Sequence, residues 1–361
     1  MTSRTVIQPG PRRGTVRVPP SKSHEHRLLI ANFLAGDRTQ LESAEGDNAD
    51  VRATKRCLKA LDGPEDRPIL DCGESGSTLR FLAPLAAALG KCPEFVRRGR
   101  LAERPFKAYD RLLPGEHVLR GDVSSQFVSG LLFALPLLEG DSRIRFTSPL
   151  ESRDYVELTL RTLAKAGIAV EREKDGLVIP GGQRYALQPH LVEGDWSGAA
   201  FWFGMNALGS DIVIQGLDSG SVQPDRAIVE LLDPGRRTID VSQCPDIFPV
   251  LTVVAAGRPN RTEFIGIERL RLKECDRIAA MHDVLSLFGA DVQVQEDRVV
   301  VTGTARKFRG GVFPTQNDHR IAMAIAVGAT HAASPVVIDD GGCVSKSYPS
   351  FFADFETLSM F

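Results

Sequence analysis

Two stretches of the chain carry one pattern at a constant offset: SRDYVELTLRTLAKAGIAV at residues 152–170 and ECDRIAAMHDVLSLFGADV at residues 274–292. Aspartate, leucine, glycine and valine recur at matching positions in the two stretches. Each stretch predicts an amphipathic helix that ends at Gly167 or Gly289 and leads into a short alternating strand. Repetition of this kind indicates one supersecondary unit that the chain uses several times.

A second kind of helix alternates with the first. Six runs are apolar on all sides, begin with small or polar residues and have a glycine near the end: residues 23–36, 76–90, 124–140, 195–209, 245–257 and 317–328. Helices of this kind are buried, and none of the runs has the ~20 apolar residues that a membrane-spanning helix needs. Their charged residues lie mostly at the N-terminal ends, where free backbone N–H groups favour anions. We therefore expect several buried helices to point their N-terminal ends at one anion-binding region.

The distribution of these runs indicates two domains. Three apolar runs fall before about residue 190 and three after it, and weaker copies of the amphipathic pattern begin near Asp50 and Pro224. A chain of 361 residues also exceeds the usual size of a single hydrophobic core. The sequence therefore predicts an α/β protein of two similar domains with three units each.

The composition is that of an ordinary soluble enzyme: 42% of the residues are hydrophobic, 25% are charged and the formal net charge is −2. This balance offers no bulk positive charge for a nucleic acid. The six cysteines have no C-x-x-C spacing and indicate free thiols in a reducing compartment. The first residues lack the apolar core of a signal peptide. We expect a cytoplasmic protein with neither a nucleic-acid nor a membrane partner.

The first apolar helix begins with groups that suit an anion. Two prolines fix its start, and Ser21 or Ser23 can cap its first turn. Lys22 lies at the helix start, and Arg27 lies four residues beyond Ser23 on the same face. Free N–H groups, a hydroxyl, an ammonium and a guanidinium together can bind a phosphate or a carboxylate. A capped surface helix with two solvated cations would have the same sequence, so this segment alone leaves both interpretations open.

The other polar segments are similarly ambiguous one by one. Gly73–Arg80 is a Gly/Ser-rich helix start, Ser124–Gln126 offers two hydroxyls and an amide, and Lys273–Arg277 contains four charges. Each could equally be a turn, a cap or a solvated ion-pair face. The charges of Asn317–Arg320 abut a strongly apolar helix, where unpaired burial would be costly. No nucleotide loop, zinc-protease motif or nucleophile elbow occurs, and no histidine or cysteine cluster suggests a bound metal.

Together, the polar segments resemble the 5-enolpyruvylshikimate-3-phosphate synthase family. The resemblance covers residues 19–355 in the family's order and rests on nine motifs: Ser21-Lys22-Ser23 with Arg27, Gly73–Arg80, Glu103-Arg104-Pro105, Ser124-Ser125-Gln126, Ser152–Tyr155, Pro245-Asp246, Lys273–Arg277, Asn317–Arg320 and Lys346. It implies two similar domains of three βαββαβ units each, an inside-out α/β barrel. It also implies that residues 21–193 bind shikimate phosphate, and that residues 1–20 and 194–361 carry catalytic and phosphoenolpyruvate-binding residues. The active site would lie in the interdomain cleft.

The implied reaction transfers the enolpyruvyl group of phosphoenolpyruvate to the 5-hydroxyl of shikimate 3-phosphate and releases phosphate, without a cofactor or a metal. Each substrate carries a carboxylate and a phosphate of about −1.5 to −2 charge, so many cations must converge on them. By resemblance, Asp246 takes the proton of the attacking hydroxyl and Glu274 moves a proton at the methylene carbon. Lys22 acts as an acid near the bridging phosphate oxygen. The resemblance also implies a monomer.

The resemblance assigns binding roles residue by residue. Shikimate 3-phosphate would be bound by Lys22, Ser23, Arg27, Ser124, Ser125, Gln126, Ser152, Tyr155, Asp246 and Lys273. Phosphoenolpyruvate would be bound by Lys22, Gly76, Arg104, Gln126, Arg277, His319, Arg320 and Lys346.

Three positions depart from the family's common pattern. Glu74 stands where Asn is frequent, Phe81 where Pro is frequent, and Arg269 where Asn is frequent. A carboxylate at Glu74 beside an anionic substrate is unfavourable unless it is protonated or paired. The position of the Glu74 side chain therefore bears directly on how this chain binds phosphoenolpyruvate.

Three other functions are weighed against this one. The sister family that transfers enolpyruvyl to UDP-N-acetylglucosamine uses a cysteine in a mobile loop and has Asn after the first Lys, whereas this chain has Ser23 and no cysteine near Arg104. A sugar-phosphate kinase is disfavoured because the nucleotide loop is missing. A non-catalytic binding protein would bind ligands without turnover, and it would leave the joint presence of Lys22, Asp246 and Glu274 unexplained.

Overall fold

The computed structural model describes residues 3–304 and 306–361. Its chain divides into two units, which we name by where most of their residues come from. The N-terminal unit is Pro20–Val192, and the C-terminal unit combines Met1–Pro19 with Glu193–Phe361. The chain thus starts in the C-terminal unit, builds the N-terminal unit and returns.

Strands and helices alternate along both units. The strands are β1 (Thr5–Ile7), β2 (Arg12–Arg17), β3 (Ile69–Gly73), β4 (Glu94–Arg97), β5 (Gly115–Leu119), β6 (Ser142–Phe146), β7 (Glu171–Glu173), β8 (Gly176–Ile179), β9 (Asp211–Gln215), β10 (Thr238–Asp240), β11 (Arg261–Ile265), β12 (Asp291–Val294), β13 (Arg298–Thr302), β14 (Gly311–Phe313), β15 (Val336–Ile338) and β16 (Ser359–Met360). The α-helices are α1 (Lys22–Leu34), α2 (Ala49–Leu61), α3 (Gly76–Ala88), α4 (Ser125–Ala134), α5 (Arg153–Lys165), α6 (Trp196–Ala207), α7 (Ile228–Leu231), α8 (Phe248–Ala256), α9 (Arg277–Phe288), α10 (His319–Thr330) and α11 (Phe351–Glu356).

Each unit contains one four-stranded sheet, and the two sheets have the same order and directions. In the N-terminal unit, β5 and β6 are parallel around α4, and α5 then leads into the β7–β8 hairpin, which gives the order β5-β6-β8-β7. In the C-terminal unit, α8 joins parallel β10 and β11, and α9 leads into the β12–β13 hairpin, which gives β10-β11-β13-β12. The two stretches quoted first contain α5 and α9, and they lead into β7 and β12. The predicted α/β fold of repeated units is therefore confirmed.

The remaining repeats are less complete. Their described strands form sheets of two or three strands, ordered β3-β4, β16-β2-β9 and β1-β15-β14. The amphipathic copy near Asp50 is α2, a helix of 13 residues. The weaker copy near Pro224 is a 3₁₀ turn followed by α7, a helix of 4 residues. Pro234 and Gly235 follow closely and end the helix.

The six apolar runs are the buried helices α1, α3, α4, α6, α8 and α10. Every residue of α8 and of α10 is buried, and each unit has a hydrophobic core of its own. Polar side chains cap the N-terminal ends of five of these helices: Ser21, Ser75, Ser124, Asp195 and Asp318. The caps place polar groups at the helix starts, as the charge pattern indicated. Within residues 3–304 and 306–361, none of the helices combines the length and the apolar character needed to span a bilayer.

Candidate active site

Lys22 begins α1, and a carboxylate from α2 holds its ammonium group. Lys22 Nζ lies 2.9 Å from Oδ2 of Asp50, and both side chains are 13% exposed. Ser21 caps the same helix by accepting a hydrogen bond from the His24 backbone N–H at 3.4 Å. Because the ion pair is mostly shielded from water, its attraction exceeds that of an exposed pair. Lys22 is thus fixed at the start of α1, where the sequence placed it.

Glu25, in the first turn of α1, ionises unusually late. Burial, together with the charge of Asp47, raises the pKa of Glu25 to about 7, against the opposing charge of Lys55. A carboxyl whose pKa is higher in the folded state than in the unfolded state binds more protons when folded. The free energy of unfolding therefore falls as the pH rises from the ordinary value of 4.5 to about 7.

Replacing Glu25 with Gln removes this pH-dependent loss. We expect the free energy of unfolding of Glu25→Gln to exceed that of the wild type by up to about 3 kcal/mol at pH 8. Near pH 4, where the carboxyl is neutral, the two proteins should be equally stable. Urea unfolding at both pH values measures this, and Glu45→Gln makes the same change at an exposed position. A stability difference that does not vary with pH would contradict the prediction.

Arg27 is buried and bonded to neighbouring elements. Its Nε donates to Oγ1 of Thr159 at 2.8 Å, and its Nη2 donates to the carbonyl of Tyr155 at 2.9 Å. The guanidinium carbon lies 5.1 Å from the centre of the Phe81 ring, a cation–π contact. Burial lowers the pKa of Arg27 to about 9. Arg27 therefore joins α1 to α5, Phe81 supports it, and its contact with a shikimate ring stays a prediction.

Side chains from three elements converge on the backbone of Gly76. A Cβ atom at Gly76 would lie 2.6 Å from Nη1 of Arg80 and 3.3 Å from Nη1 of Arg104 and Oε1 of Gln126. Arg80 Nη1 donates to Gln126 Oε1 at 2.6 Å, and Gln126 Nε2 donates to Oγ of Ser77 at 3.0 Å. Because Gly76 has no side chain, the polar atoms of Arg80, Arg104 and Gln126 can lie close to the backbone at the start of α3. Gly76, Arg104 and Gln126 are thus brought together, and Arg80 joins them.

The three serines expected to bind a phosphate lie at the starts of α4 and α5. Ser124 accepts a hydrogen bond from the N–H of Gln126 at 3.3 Å, and Ser125 is buried next to it. Ser152 has a φ of 51°, a conformation that costs a non-glycine residue on the order of 1 kcal/mol. Its side chain does not cap α5, and Tyr155 follows one turn later. A strained residue at an uncapped helix start is typical of a functional position.

Arg277 is the centre of a buried ion cluster in the C-terminal unit. Its side chain is 1% exposed and pairs with three carboxylates. Nη1 lies 2.8 Å from Asp246 Oδ1, Nη2 lies 2.9 Å from Glu274 Oε2, and Nε lies 2.8 Å from Asp318 Oδ2. Burial alone would lower the pKa of Arg277, but the three negative charges outweigh it and raise the pKa well above its usual value. Both predicted catalytic carboxylates are therefore bound to one guanidinium.

Asp246 contacts two further cations. Lys273 Nζ lies 3.1 Å from its Oδ1, and Arg320 Nη2 lies 3.5 Å from its Oδ2. Burial raises the pKa of Asp246, but the charges of Lys273, Arg277 and Arg320 outweigh it and hold the pKa well below its usual range. Burial lowers the pKa of Lys273, against the charge of Asp246. In this arrangement Asp246 is ionised and only weakly basic.

The start of α10 completes the cluster. Asp318 caps this helix by accepting a hydrogen bond from the N–H of Arg320 at 2.9 Å. Across the residues that the structure describes, Nε and Nη1 of Arg320 are buried without a hydrogen-bond partner, so these donors can serve an anion. His319 is buried beside them. Lys346 Nζ donates to the carbonyl of Asn317 at 2.7 Å, which brings Lys346 to the same helix start.

Known proteins are similar to this chain over nearly its whole length. The family model described as EPSP synthase (3-phosphoshikimate 1-carboxyvinyltransferase) matches residues 114–237 and 232–355. The 3-phosphoshikimate 1-carboxyvinyltransferase of Clostridium kluyveri is 39% identical over 412 aligned residues, which cover 98% of this chain and 96% of the relative. The chain belongs to the EPSP synthase family. A protein of the same name from Clostridium perfringens is 36% identical and covers 99% of this chain and 98% of its own.

Solved structures agree with this placement at the level of the fold. The EPSP synthase of Acinetobacter baumannii superposes with a TM-score of 0.77 at 22% identity, over 99% of this chain and 98% of its own. The enolpyruvyl transferase NikO of Streptomyces tendae superposes with a TM-score of 0.70 at 14% identity, over 100% of this chain and 98% of its own. These likenesses confirm the two-domain α/β fold.

Two departures from the common EPSP synthase pattern have defined surroundings. A Cβ atom at Gly99 would lie 2.9 Å from Cδ of Glu74, so the Glu74 carboxyl group packs against Gly99. Gly99 has a φ of 52°, a conformation that favours glycine. The atoms nearest to a Cβ at Gly76 belong to other side chains, so Glu74 is turned toward Gly99 rather than Gly76. Arg269 Nη2 donates to the carbonyl of Ser242 at 2.5 Å, in the segment that follows β10.

Sequence reasoning did not select three acidic residues that interact with the predicted site residues: Asp50, Asp225 and Asp318. Asp50 and Asp318 bind Lys22 and Arg277. Asp225 is buried and accepts a hydrogen bond from the hydroxyl of Ser197. Burial and the charge of Asp246 raise the pKa of Asp225 to about 6. Asp50 and Asp225 lie at the starts of the two weak sequence repeats, and Asp318 is a helix cap. None of these sequence signals indicates which cation the carboxylate will contact.

Proposed function

We propose that the clusters described above carry out the reaction of the EPSP synthase family. That reaction transfers the enolpyruvyl group of phosphoenolpyruvate to the 5-hydroxyl of shikimate 3-phosphate and releases phosphate. The assignment of residues depends mainly on one observation, the guanidinium of Arg277 that holds Asp246 at 2.8 Å and Glu274 at 2.9 Å. A proton acceptor and a proton donor must both lie near the reacting atoms. One shared cation keeps two carboxyl groups within a few ångström of each other.

Shikimate 3-phosphate is bound at the starts of α1, α4 and α5. Its phosphate accepts hydrogen bonds from the hydroxyls of Ser124, Ser125 and Ser152. The strained backbone at the start of α5 supports an anion-binding role there. Its ring and carboxylate take the other groups assigned to it: Lys22, Ser23, Arg27, Gln126, Tyr155, Asp246 and Lys273.

Phosphoenolpyruvate is bound by guanidinium groups that lie at the starts of α3 and α10. The guanidinium atoms of Arg80 and Arg104 beside Gly76 support this role, as do the two donors of Arg320 that lack a hydrogen-bond partner within the described residues. Planar guanidinium groups suit carboxylate and phosphate oxygens because they donate two parallel hydrogen bonds. The full set assigned to phosphoenolpyruvate is Lys22, Gly76, Arg104, Gln126, Arg277, His319, Arg320 and Lys346.

Substrate binding makes Asp246 a stronger base. Without substrates, three cations hold its pKa low. When the anionic groups of the substrates pair with Lys273, Arg277 and Arg320, these cations stabilise the Asp246 carboxylate less, and its pKa rises. Asp246 then accepts the proton of the 5-hydroxyl while the hydroxyl oxygen bonds to C2 of phosphoenolpyruvate. Glu274 takes up a proton once the substrate anions weaken its pairing with Arg277, and it gives this proton to the methylene carbon, which becomes a methyl group.

Elimination reverses the proton transfer at carbon. The bond between C2 and the phosphate oxygen breaks, and Lys22 donates a proton to the leaving oxygen. Glu274 takes a proton back from the methyl group, so the enolpyruvyl double bond forms again on the product. Lys22 suits this role because Asp50 fixes its position at 2.9 Å.

Phosphate release tests the proposed reaction directly. With phosphoenolpyruvate present and no nucleoside triphosphate added, we expect phosphate release when shikimate 3-phosphate is the acceptor. We expect no phosphate release when UDP-N-acetylglucosamine is the acceptor. Release with the sugar nucleotide alone would assign the chain to the sister reaction. Binding of both substrates by a folded sample without release would indicate a non-catalytic binding protein.

The same proposal includes a monomeric protein of the cytoplasm without a nucleic-acid partner. The near-neutral net charge of −2 supports the absence of a polyanion partner. Light scattering during size-exclusion chromatography should give the mass of one chain, and a dimer mass would contradict the monomer.

A further inference from the structure

A chain of buried hydrogen bonds crosses the N-terminal unit from α1 to the start of α3. His26 Nδ1 lies 2.7 Å from Oγ1 of Thr54, and this hydroxyl lies 2.7 Å from Oγ1 of Thr78. The Thr78 hydroxyl donates to Oγ of Ser75 at 2.8 Å. All four side chains are buried. We refer to His26, Thr54, Thr78 and Ser75 as the hydroxyl chain.

The hydrogen bonds of the hydroxyl chain have one consistent direction. Thr78 donates to Ser75, so Thr54 donates to Thr78 and the Nδ1–H of His26 donates to Thr54. This order requires a proton on Nδ1 of the imidazole. Within the described residues, Nε2 of His26 is buried without a hydrogen-bond partner, which favours the neutral ring because a second N–H would be unsatisfied. Burial, together with the charges of Lys22 and Arg27, lowers the pKa of His26 well below its usual value, which agrees with a neutral ring.

The hydroxyl chain ends at groups that the proposed reaction uses. Ser75 caps α3 by accepting from the Thr78 N–H at 3.3 Å, and the next residue is Gly76. The Thr78 hydroxyl also lies 3.4 Å from the carbonyl oxygen of Asp50, whose carboxylate holds Lys22. Three helix starts are therefore tied together by buried, directional bonds, which are costly to break in a low-dielectric interior.

We propose that the hydroxyl chain positions the phosphoenolpyruvate site, by fixing the first turn of α3, with Gly76, relative to Lys22 on α1. This inference rests on the proposed function. None of the four side chains needs to contact a substrate, so they are positioning residues. Their loss should weaken the binding of phosphoenolpyruvate more than it slows the chemical step.

Replacing Thr54 with Val tests the positioning role, because valine keeps the shape of threonine and removes the hydroxyl in the middle of the hydroxyl chain. We expect KM for phosphoenolpyruvate to rise about 10-fold, the equivalent of one lost buried hydrogen bond. We expect kcat and KM for shikimate 3-phosphate to change by less than about 3-fold. Thr54→Ser keeps a hydroxyl and should restore the wild-type KM.

Thr162→Val is the matched control. Thr162 is also buried in the N-terminal unit, but its hydroxyl donates at 2.9 Å to Leu158 of its own helix. Its KM values should equal those of the wild type. Equal KM values for phosphoenolpyruvate in Thr54→Val and Thr162→Val would overturn the proposal. So would a loss in Thr54→Val that affects both substrates alike and that Thr54→Ser does not restore.

A double-mutant cycle and a spectroscopic measurement complete the test. The effects of Thr54→Val and Ser75→Ala on KM for phosphoenolpyruvate should be less than additive, because both substitutions interrupt the same hydroxyl chain. Full additivity would overturn the proposal. Nitrogen NMR of the His26 ring should show a neutral Nδ1–H form at pH 6, and a charged or Nε2–H form would also overturn it. This spectrum needs no turnover, so a failure of the proposed reaction itself, seen as no phosphate release by the wild type, is distinguished from a failure of this inference.

Discussion

Replacing Asp246 with Asn should lower kcat by about 10²–10⁴-fold, the usual contribution of a general base. The amide has the shape of the carboxylate but cannot accept the proton of the 5-hydroxyl. The substitution also removes the negative charge that now pairs with Lys273, Arg277 and Arg320. These cations then attract anionic substrates more strongly, so KM for phosphoenolpyruvate should stay the same or fall. Steady-state kinetics of phosphate release measure both parameters.

Asp297→Asn provides the control for this substitution. It makes the same chemical change in the same unit, at a side chain that is 61% exposed and paired with Arg298, and it should leave kcat unchanged. A kcat for Asp246→Asn above about a tenth of the wild-type value would exclude Asp246 as the base. A loss that lies mainly in a raised KM would show that Asp246 positions the neighbouring cations instead of taking the proton.

Replacing Arg277 with Met should lower the free energy of unfolding of the C-terminal unit by about 3–5 kcal/mol, the effect of breaking a buried ion pair. Methionine fills most of the space, but it leaves the carboxylates of Asp246, Glu274 and Asp318 without their shared cation. Both tryptophans of the chain, Trp196 and Trp202, lie in the C-terminal unit. Urea unfolding followed by tryptophan fluorescence therefore reports on the unit that contains the substitution.

The loss of stability in Arg277→Met should depend on pH. In the wild type, the cations hold the pKa of Asp246 below its usual range, so this residue contributes stability at neutral pH that is lost as the pH falls. In the variant that contribution is smaller, because only Lys273 and Arg320 remain beside Asp246. The difference between the two proteins should therefore shrink as the pH falls to about 4 and below. A difference that grows on acidification would contradict the assignment.

Two further variants control for the loss of an arginine as such. Arg298→Met removes a more exposed arginine that pairs with Glu263 and Asp297, and it should cost less than about 1 kcal/mol. Adding Asp318→Asn to Arg277→Met should recover part of the lost stability, because it removes one of the uncompensated charges. An Arg277→Met protein within about 1 kcal/mol of the wild type at pH 7 would mean that the cluster is not a stabilising ion pair.

Much of the fold could be predicted because its signals are local. The 3.6-residue period and the terminal glycine of residues 152–170 and 274–292 depend only on near neighbours, and they predicted α5 and α9 with their following strands. The six apolar runs predicted the buried helices in the same way. The weaker pattern near Pro224 did not specify the length of its helix, and Pro234 and Gly235 follow α7 after only 4 helical residues.

The nine motifs, taken in order, predicted which residues belong to the candidate site. No sequence pattern predicted which carboxylate pairs with which cation. Lys22 and Asp50 are 28 positions apart, Arg277 and Asp246 are 31 apart, and Arg277 and Asp318 are 41 apart. The burial of Arg27 between α1 and α5 and the turn of Glu74 toward Gly99 are equally non-local.

Local pattern thus specifies where each helix of this protein begins and which polar groups lie at its start, because caps and periodicity involve residues a few positions apart. Which carboxylate meets which cation is set only when the helices pack. Those contacts depend on distances in space between residues that are far apart in the chain, and they determine the pKa of Asp246 and so its capacity to act as a base.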